Sequence, residues 1–332
     1  MSAVPSLANI AIVTPVYNDW ESLERLLTAI SEAPELNHVR FRIVAVNDSS
    51  QQAPTVSFLH RKRPRIQRVD ILNLVCNIGH QRAIAVGLVA ARRIPGVSGV
   101  LVMDCDGEDR PEDIGGILAA AEENPGMIIC ARRRQRSESP LFRACYHLYK
   151  GAFRLLTGAH IDFGNFCYIP RREMDSVVHT PMVWNHLAGA LVRSRIPLHR
   201  IDTKRGQRYA GRSSMNFAAL VLHGLSAVSV YADVVMVRLL LATLGISIFA
   251  ALGMIAVVGI RLFTNLAIPG WASAVMGSLA IVLLQSAVFA AISTFMLLNA
   301  RSAKPVIPAI DALQYLRQGE HQPGEVQREA AG

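Results

Sequence analysis

The sequence predicts an α/β fold with a central, mostly parallel sheet, continued by an amphipathic helix and a two-helix transmembrane hairpin. Three observations carry that expectation. Strand, turn and helix repeat over the first half of the chain, successive strands end in polar or acidic residues, and two long C-terminal stretches hold no charge at all.

Asn9 to Thr14 read as an apolar strand, and Pro15-Val-Tyr-Asn-Asp19 as a turn into a helix from about Glu21 to Glu32, where Leu23, Leu26, Leu27 and Ile30 recur at helical spacing. Phe41 to Val46 form the second strand, which ends at Asp48. Val69 to Leu74 form the third, followed by Asn77-Ile-Gly-His-Gln-Arg82 and an alanine-rich helix to about Arg93. Repetition of this unit means parallel strands, whose carboxyl ends collect on one edge. Taken singly, Asp48 reads equally as a turn cap, Asn77 and Gly79 as a helix start, and Tyr17 as packing.

Val100 to Met103 then read as a buried strand that runs into a knot of carboxylates, Asp104-Cys-Asp-Gly-Glu-Asp109. Extended backbone alternates its side chains, so Asp104, Asp106 and Glu108 share one side and Cys105 faces the other. Carboxylates so close repel unless something positive lies between them, and hard oxygen ligands suit Mg or Mn. Pro111-Glu112-Asp113 open the next helix with an acidic first turn.

Ile128 begins a further strand that enters the arginines at 132–136, and Ala144 to Thr157 read as a helix. Leu220 to Met236 are apolar with few charges and fit a helix lying along a membrane surface. Leu239 to Ile260 and Gly270 to Ala300 are uncharged and long enough to cross a bilayer, which needs about 20 residues. Arg238, Arg301 and Lys304 flank the outer ends of this hairpin against Arg261 between the spans, which puts the α/β domain and both termini in the cytoplasm. The expected boundaries are an α/β domain at 1–216, an interfacial helix at 217–237, two transmembrane helices within 238–302 and a cytoplasmic tail at 303–332.

Composition narrows the partners. Of the 332 residues 51% are hydrophobic, high for a soluble protein, and the excess gathers after about residue 217. Lys and Arg outnumber Asp and Glu by 34 to 25, a formal +9 that suits an anionic membrane or a phosphorylated substrate. Nucleic acid is not expected as a partner, since no recognition motif is present. The five cysteines are scattered and odd in number, as reduced thiols in a cytoplasmic domain would be. No signal peptide is expected, because the N-terminus has neither a basic start nor a long apolar run.

Pro15-Val-Tyr-Asn18, Asn47-Asp48, Asn77-x-Gly79 with Gly87, and Asp104-x-Asp106 together resemble the family-2 glycosyltransferases of the GT-A fold, over approximately Ile10 to Met215. Within them, Met103-Asp-Cys-Asp-Gly-Glu-Asp-Arg-Pro-Glu112 is similar to the M-D-A-D-L-Q-D-P-P-E of polyprenyl-phosphate glycosyltransferases, the dolichyl-phosphate mannose synthase and bacterial GtrB-like group. The family glutamine is Glu108 here.

The resemblance implies an inverting transfer of sugar from a nucleotide-sugar donor to a membrane polyprenyl phosphate, in a bacterial inner membrane, with a UDP-sugar favoured over a GDP-sugar. It implies donor contacts from Pro15, Tyr17, Asn18, Asp48, Asn77, Gly79 and Asp104, and Mg or Mn held by Asp104, Asp106 and Glu108. Arg132, Arg143, Arg208 and Arg212 stand where relatives place phosphate-facing cations, and with Asp106 they form the implied catalytic set. Asp162-Phe-Gly-Asn-Phe-Cys-Tyr-Ile-Pro-Arg171 is similar to the family's short aromatic strand near the acceptor, which ends in arginine, and the resemblance implies that Asp162 and Asn165 line the sugar pocket. Arg208-Tyr-Ala-Gly-Arg-Ser-Ser214 is similar to R-x-x-G-x-S-K, with Ser214 in place of lysine.

A phosphate acceptor is already mostly dianionic at neutral pH and requires no strong base. Two other readings stay open. One is transfer to a hydroxyl of a lipid or glycan, with Asp162 or Asp109 as base; the other is a catalytically silent membrane adaptor, for which the departures at Ser214 and Gly107 leave room. Gly245, Gly253 and Gly259 permit close helix packing and leave homo-oligomerisation open, but they make no G-x-x-x-G motif.

Overall fold

A computed structural model describes residues 7–54, 61, 63–133, 140–210, 217–264 and 270–317, and only the backbone at 140–148, 217–220 and 223. The chain forms two compact units. The first combines 1–147, 159–230 and 305–332; the second combines 148–158 and 231–304.

The first unit is built on a seven-stranded sheet of order β3-β2-β1-β4-β6-β5-β7. Its strands are β1 (Asn9–Val16), β2 (Arg40–Asn47), β3 (Ile66–Asn73), β4 (Gly99–Val102), β5 (Ile128–Arg133), β6 (Cys167–Pro170) and β7 (Leu198–Thr203). β1 to β4 run parallel, as do β5 and β7, while β6 lies antiparallel between β4 and β5. The register sets Val16 beside Asn47, Asn47 beside Asn73, and Val13 beside Val102. The carboxyl ends of β1 to β4 therefore share one edge, as strand-turn-helix repetition requires.

Helices cover both faces. α1 (Trp20–Glu32) buries Leu23, Leu26, Leu27 and Ile30 completely, and with α3 (Glu112–Glu123) closes the core over Ile12, Ile43 and Leu101. Each such side chain contributes about 1.5–3 kcal/mol by leaving water. On the other face α2 (His80–Arg92) is buried almost all round, since alanines and Gly87 let it sit close to the sheet. A Cβ on Gly87 would come within 2.5 Å of Val13 Cγ1. α5 (Met174–His179) and α6 (Leu187–Arg193) complete that layer.

α4 (Pro140–Thr157) starts four residues before the expected Ala144. The apolar stretch expected as one interfacial helix is divided into α7 (Phe217–Ser229) and the start of a longer helix at Ala232. Arg193 donates to the Val230 carbonyl, which takes that oxygen out of the helical ladder where the chain breaks.

In the second unit, α8 (Ala232–Phe263) and α9 (Trp271–Ser302) pack along each other; each has 32 residues. At 1.5 Å per residue either exceeds the roughly 30 Å hydrocarbon core of a bilayer. Both are long and apolar enough to cross a membrane. Phe249, Leu252, Ile255, Leu284 and Phe295 remain exposed along them, as lipid-facing side chains would be.

After α9 the chain returns to the first unit. Pro305–Arg317 contain α10 (Pro308–Asp311) and a 3₁₀ turn at Ala312–Tyr315, and Leu316 bridges antiparallel to Leu74 beyond the end of β3. The tail expected at 303–332 thus opens with a folded segment. Its Val306, Ala309, Ala312 and Leu313 are spaced to bury one side of a short segment, and Ala312 is wholly enclosed.

Candidate functional site

β4 ends at Val102, and the next residues turn back on themselves. The Asp104 N–H donates to Asp109 Oδ2 at 2.9 Å, and the Glu108 N–H donates to Asp106 Oδ1 at 2.9 Å. Gly107 holds the turn with φ +91, a conformation that favours glycine. The expected alternation survives into this turn: Cys105 and Asp109 are buried, whereas Asp104, Asp106 and Glu108 are only half-buried.

A basic segment after β7 roofs the turn. Gly206 N–H donates to the Glu108 carbonyl at 2.9 Å and Tyr209 N–H to the Asp106 carbonyl at 2.8 Å. Arg205 Nη2 lies 2.8 Å from Glu108 Oε1, and Arg208 Nη2 lies 3.1 Å from Asp106 Oδ2. From β5, Arg133 donates Nη1 to Glu108 Oε2 at 3.1 Å and Nη2 to Asp109 Oδ1 at 2.7 Å.

These contacts set the acidities. Burial and the Asp104 charge push the Asp106 carboxyl up, against the Glu108 amide and Arg208. Burial would also raise Glu108, but Arg205 and Arg133 outweigh it and hold this carboxyl below its usual range. Asp109, wholly enclosed and next to Asp104, is pushed up to about 7 by burial.

Beside the turn, Asp48 accepts the amides of Ile78 at 2.7 Å and Gly79 at 3.0 Å, and burial raises its carboxyl despite those bonds. Asp48 is thus the turn cap that sequence reading allowed. Gly79, at φ +90, starts α2. His80 follows, its Nε2 3.3 Å from Asp104 Oδ1. A polar chain backs it: Asn165 Nδ2 meets His80 Nε2 at 3.0 Å, Gln81 Nε2 donates to Asn165 Oδ1 at 3.1 Å, and Leu187 N–H donates to Gln81 Oε1 at 2.8 Å.

Tyr17 stands exposed at the end of β1, and Pro15 is buried with its carbonyl facing the Cys105 thiol. Asn18 laces this turn to the next: its N–H donates to Ser50 Oγ at 2.8 Å, and its Oδ1 accepts the Gln51 amide at 2.8 Å. Asn77 is exposed on the loop before Gly79. Pro15, Tyr17, Asn18, Asp48, Asn77, Gly79, Asp104, Asp106 and Glu108 all lie at or just beyond the carboxyl ends of β1, β2, β3 or β4.

Several expected residues have partners that the local sequence does not show. Both Glu108 oxygens are ion-paired to arginines, while Asp106 accepts the Glu108 N–H on one oxygen and pairs with Arg208 on the other. Arg132, expected at the phosphates, pairs instead with Asp202 at 2.7 Å and Asp162 at 3.6 Å. Alternation along β5 sends Arg132 and Arg133 to opposite sides, and Arg133 is the one that meets the acidic turn. Arg143 lies on α4 with its side chain outside the described residues, and Arg212 lies outside them altogether. Arg208 pairs with Asp106 at the acidic turn.

Sequence reading missed Arg133, Arg205 and His80 as members of this cluster. For Arg133 strand parity was the available signal; for Arg205 and His80 only strand order brings them near. Among the described residues, no group of three or more His, Cys, Asp or Glu is arranged to hold a metal ion. The Asp104 and Asp106 carboxylates fit a hard divalent cation as a pair that requires further oxygen ligands from elsewhere.

Three comparisons bear on this geometry. The family model described as Glycosyl transferase family 2 matches residues 11–178. A Bacillus subtilis (strain 168) protein named "Uncharacterized glycosyltransferase YkcC" is 23% identical over 271 residues, which cover 80% of this chain and 81% of that protein. The undecaprenyl-phosphate 4-deoxy-4-formamido-L-arabinose transferases of Enterobacter sp. (strain 638) and Edwardsiella ictaluri (strain 93-146) are 27% and 28% identical over 234 and 231 residues, 67% of either chain in each case.

Proposed function

The chain belongs to glycosyl transferase family 2, and from that premise we propose that it moves a sugar from a nucleotide diphosphate donor to a polyprenyl phosphate at the cytoplasmic face of a membrane, inverting the anomeric centre. The observation that carries this reading is the carboxylate turn Asp104–Asp109 at the end of β4, roofed by Arg205 and Arg208. Such a turn offers hard oxygens and guanidinium groups side by side, as a diphosphate and its counter-ion require.

Asp104 and Asp106 would hold Mg or Mn, which when bound neutralises charge on the departing diphosphate. Arg208, ion-paired to Asp106 in this structure, would supply positive charge to the departing diphosphate. The loop at 76–79, fastened by Asp48, would line the nucleoside pocket with Tyr17 and Asn18. In the transfer an acceptor phosphate oxygen bonds to the anomeric carbon as the bond from that carbon to the diphosphate oxygen breaks, and the nucleoside diphosphate leaves with the electron pair.

Both carboxylates that could serve a hydroxyl acceptor as base are already engaged. Asp109 is held by Arg133, and Asp162 lies between Arg200 at 2.9 Å and Arg132 at 3.6 Å. A phosphate acceptor requires neither. Two relatives named for undecaprenyl phosphate support the same class of acceptor.

Arg238, Arg301 and Lys304, at the outer ends of the two apolar spans, favour the cytoplasm for the residues that precede α8 and follow α9.

Detergent-solubilised full-length protein should transfer label from one of a panel of radiolabelled UDP- and GDP-sugars to short-chain polyprenyl phosphate, and Asp106→Asn should abolish transfer. Label moved only to a hydroxyl acceptor would overturn the acceptor assignment. Donor binding with neither transfer nor hydrolysis would support the silent adaptor.

A further inference from the structure

We propose that the segment leaving the second apolar helix, Pro305–Arg317, is a positioning strap for the donor-binding loop 75–79. The proposal rests on the donor-site reading above. The strap itself lies outside both the family match at 11–178 and the carboxylate motif.

β3 is an edge strand, and among the described residues no strand of the sheet pairs with its outer side. The strap occupies that position. Val75 N–H donates to the Tyr315 carbonyl at 2.9 Å, and Arg317 N–H donates to the Asn73 carbonyl at 2.9 Å, on either side of the Leu74–Leu316 bridge. Leu74 N–H meanwhile donates to the Asn47 carbonyl at 3.0 Å, so the residues just before the loop are gripped by β2 on one side and the strap on the other.

The strap is itself anchored. Ala312 is wholly buried, the Tyr315 ring packs against Trp184 with centroids 5.3 Å apart, and Arg82 of α2 lies over the same indole at 5.8 Å. Asp311 Oδ2 accepts the Ile307 N–H at 2.7 Å and closes the short helix.

The donor loop begins directly beyond this grip. Val75, Cys76 and Asn77 are exposed, and the next two residues hand their amides to Asp48 before His80 reaches Asp104. Without the strap these exposed residues would hinge on Leu74 alone, and the amide pair on Asp48 would open more often. The nucleoside pocket is therefore complete only when chain from beyond the apolar hairpin has returned to it. A catalytic fragment ended before α8 would lack this support.

Arg317→Pro in the full chain tests the strap. Arg317 is exposed and Leu316 has φ −74 and ψ 141, the extended geometry that a following proline favours. The substitution thus deletes one N–H and one exposed charge, and Arg317→Ala controls for the charge. Amide exchange over 74–79 should accelerate and UDP or GDP binding weaken, each by about five-fold, the size of one backbone hydrogen bond. Exchange in β1 and turnover at saturating donor should stay near wild type, and Arg317→Ala should leave all readings unchanged.

Tyr315→Leu loosens the strap from its Trp184 side without touching the backbone and should move the same readings in the same direction. Unchanged exchange at 74–79 and unchanged nucleotide affinity in both Arg317→Pro and Tyr315→Leu would overturn the proposal, as would an equal effect from Arg317→Ala. If the wild-type protein binds no nucleotide, the donor-site reading fails, and the exchange measurements still decide whether the strap holds the loop.

Discussion

Arg208 and Asp106 form an ion pair across the acidic turn, Nη2 to Oδ2 at 3.1 Å, while the neighbouring Tyr209 N–H donates to the Asp106 carbonyl. The guanidinium therefore sits where a cation bound to Asp106 would draw on the same oxygen. Arg208→Ala should tighten Mn binding to donor-free protein by roughly two- to five-fold, as loss of one partly exposed competing pair allows. It should also slow sugar transfer. Titration calorimetry with Mn, set beside turnover, checks both, and weaker Mn binding in the variant would count against this arrangement.

Arg133 serves two carboxylates, Glu108 and the enclosed Asp109. Removing it takes the hydrogen-bond partner from an enclosed carboxyl, which then takes up a proton at neutral pH, so Arg133→Met should cost about 1–3 kcal/mol of stability. Adding Asp109→Asn to that variant should recover part of the loss. Apparent melting temperatures of the two single variants and the double variant read the coupling directly.

The acid cluster also gives a pH dependence with a definite sign. Asp48, Asp106 and Asp109 have raised folded-state acidities, Asp109 to about 7. A raised value means stability fully present below the unfolded-chain value of about 4 and lost as pH climbs through the folded value. Glu108, held low, acts oppositely: its contribution is present above its unfolded value and is lost as pH falls through its folded one. Stability of the donor-free protein should thus decline from about pH 4 to about pH 7. Asp109→Asn should flatten that slope in thermal scans.

Gly87 lies where α2 presses on the sheet, and a Cβ there would meet Val13 Cγ1 at 2.5 Å and Val46 Cγ2 at 2.9 Å. Both neighbours are stiff, β-branched and fully buried. Gly87→Ala should destabilise by about 1–3 kcal/mol through overpacking, although alanine is the better helix former. A lowered melting temperature with an unchanged helical signal is the expected result.

Much of the site's outline was legible in the residues. Strand ends at Val16, Asn47, Asn73 and Val102 come from short apolar runs stopped by polar residues, and parallel repetition collects them on one edge. The parity of Asp104, Asp106 and Glu108 held because the turn keeps the alternation begun in β4. Partner choice was not legible. Nothing in 103–112 shows that Glu108 is paired to Arg133 and Arg205, which reach it from 25 and 97 residues away.

By itself, then, the sequence determined the alternating α/β elements, the carboxylate turn after β4 and the two apolar spans, since each is written in local periodicity and burial of nearby side chains. Tertiary structure alone decided that β6 enters antiparallel between β4 and β5, that Arg205 reaches the acidic turn, and that Pro305–Arg317 return to brace the end of β3. Those outcomes depend on strand order and on hydrogen bonds between distant segments, and no local pattern carries either.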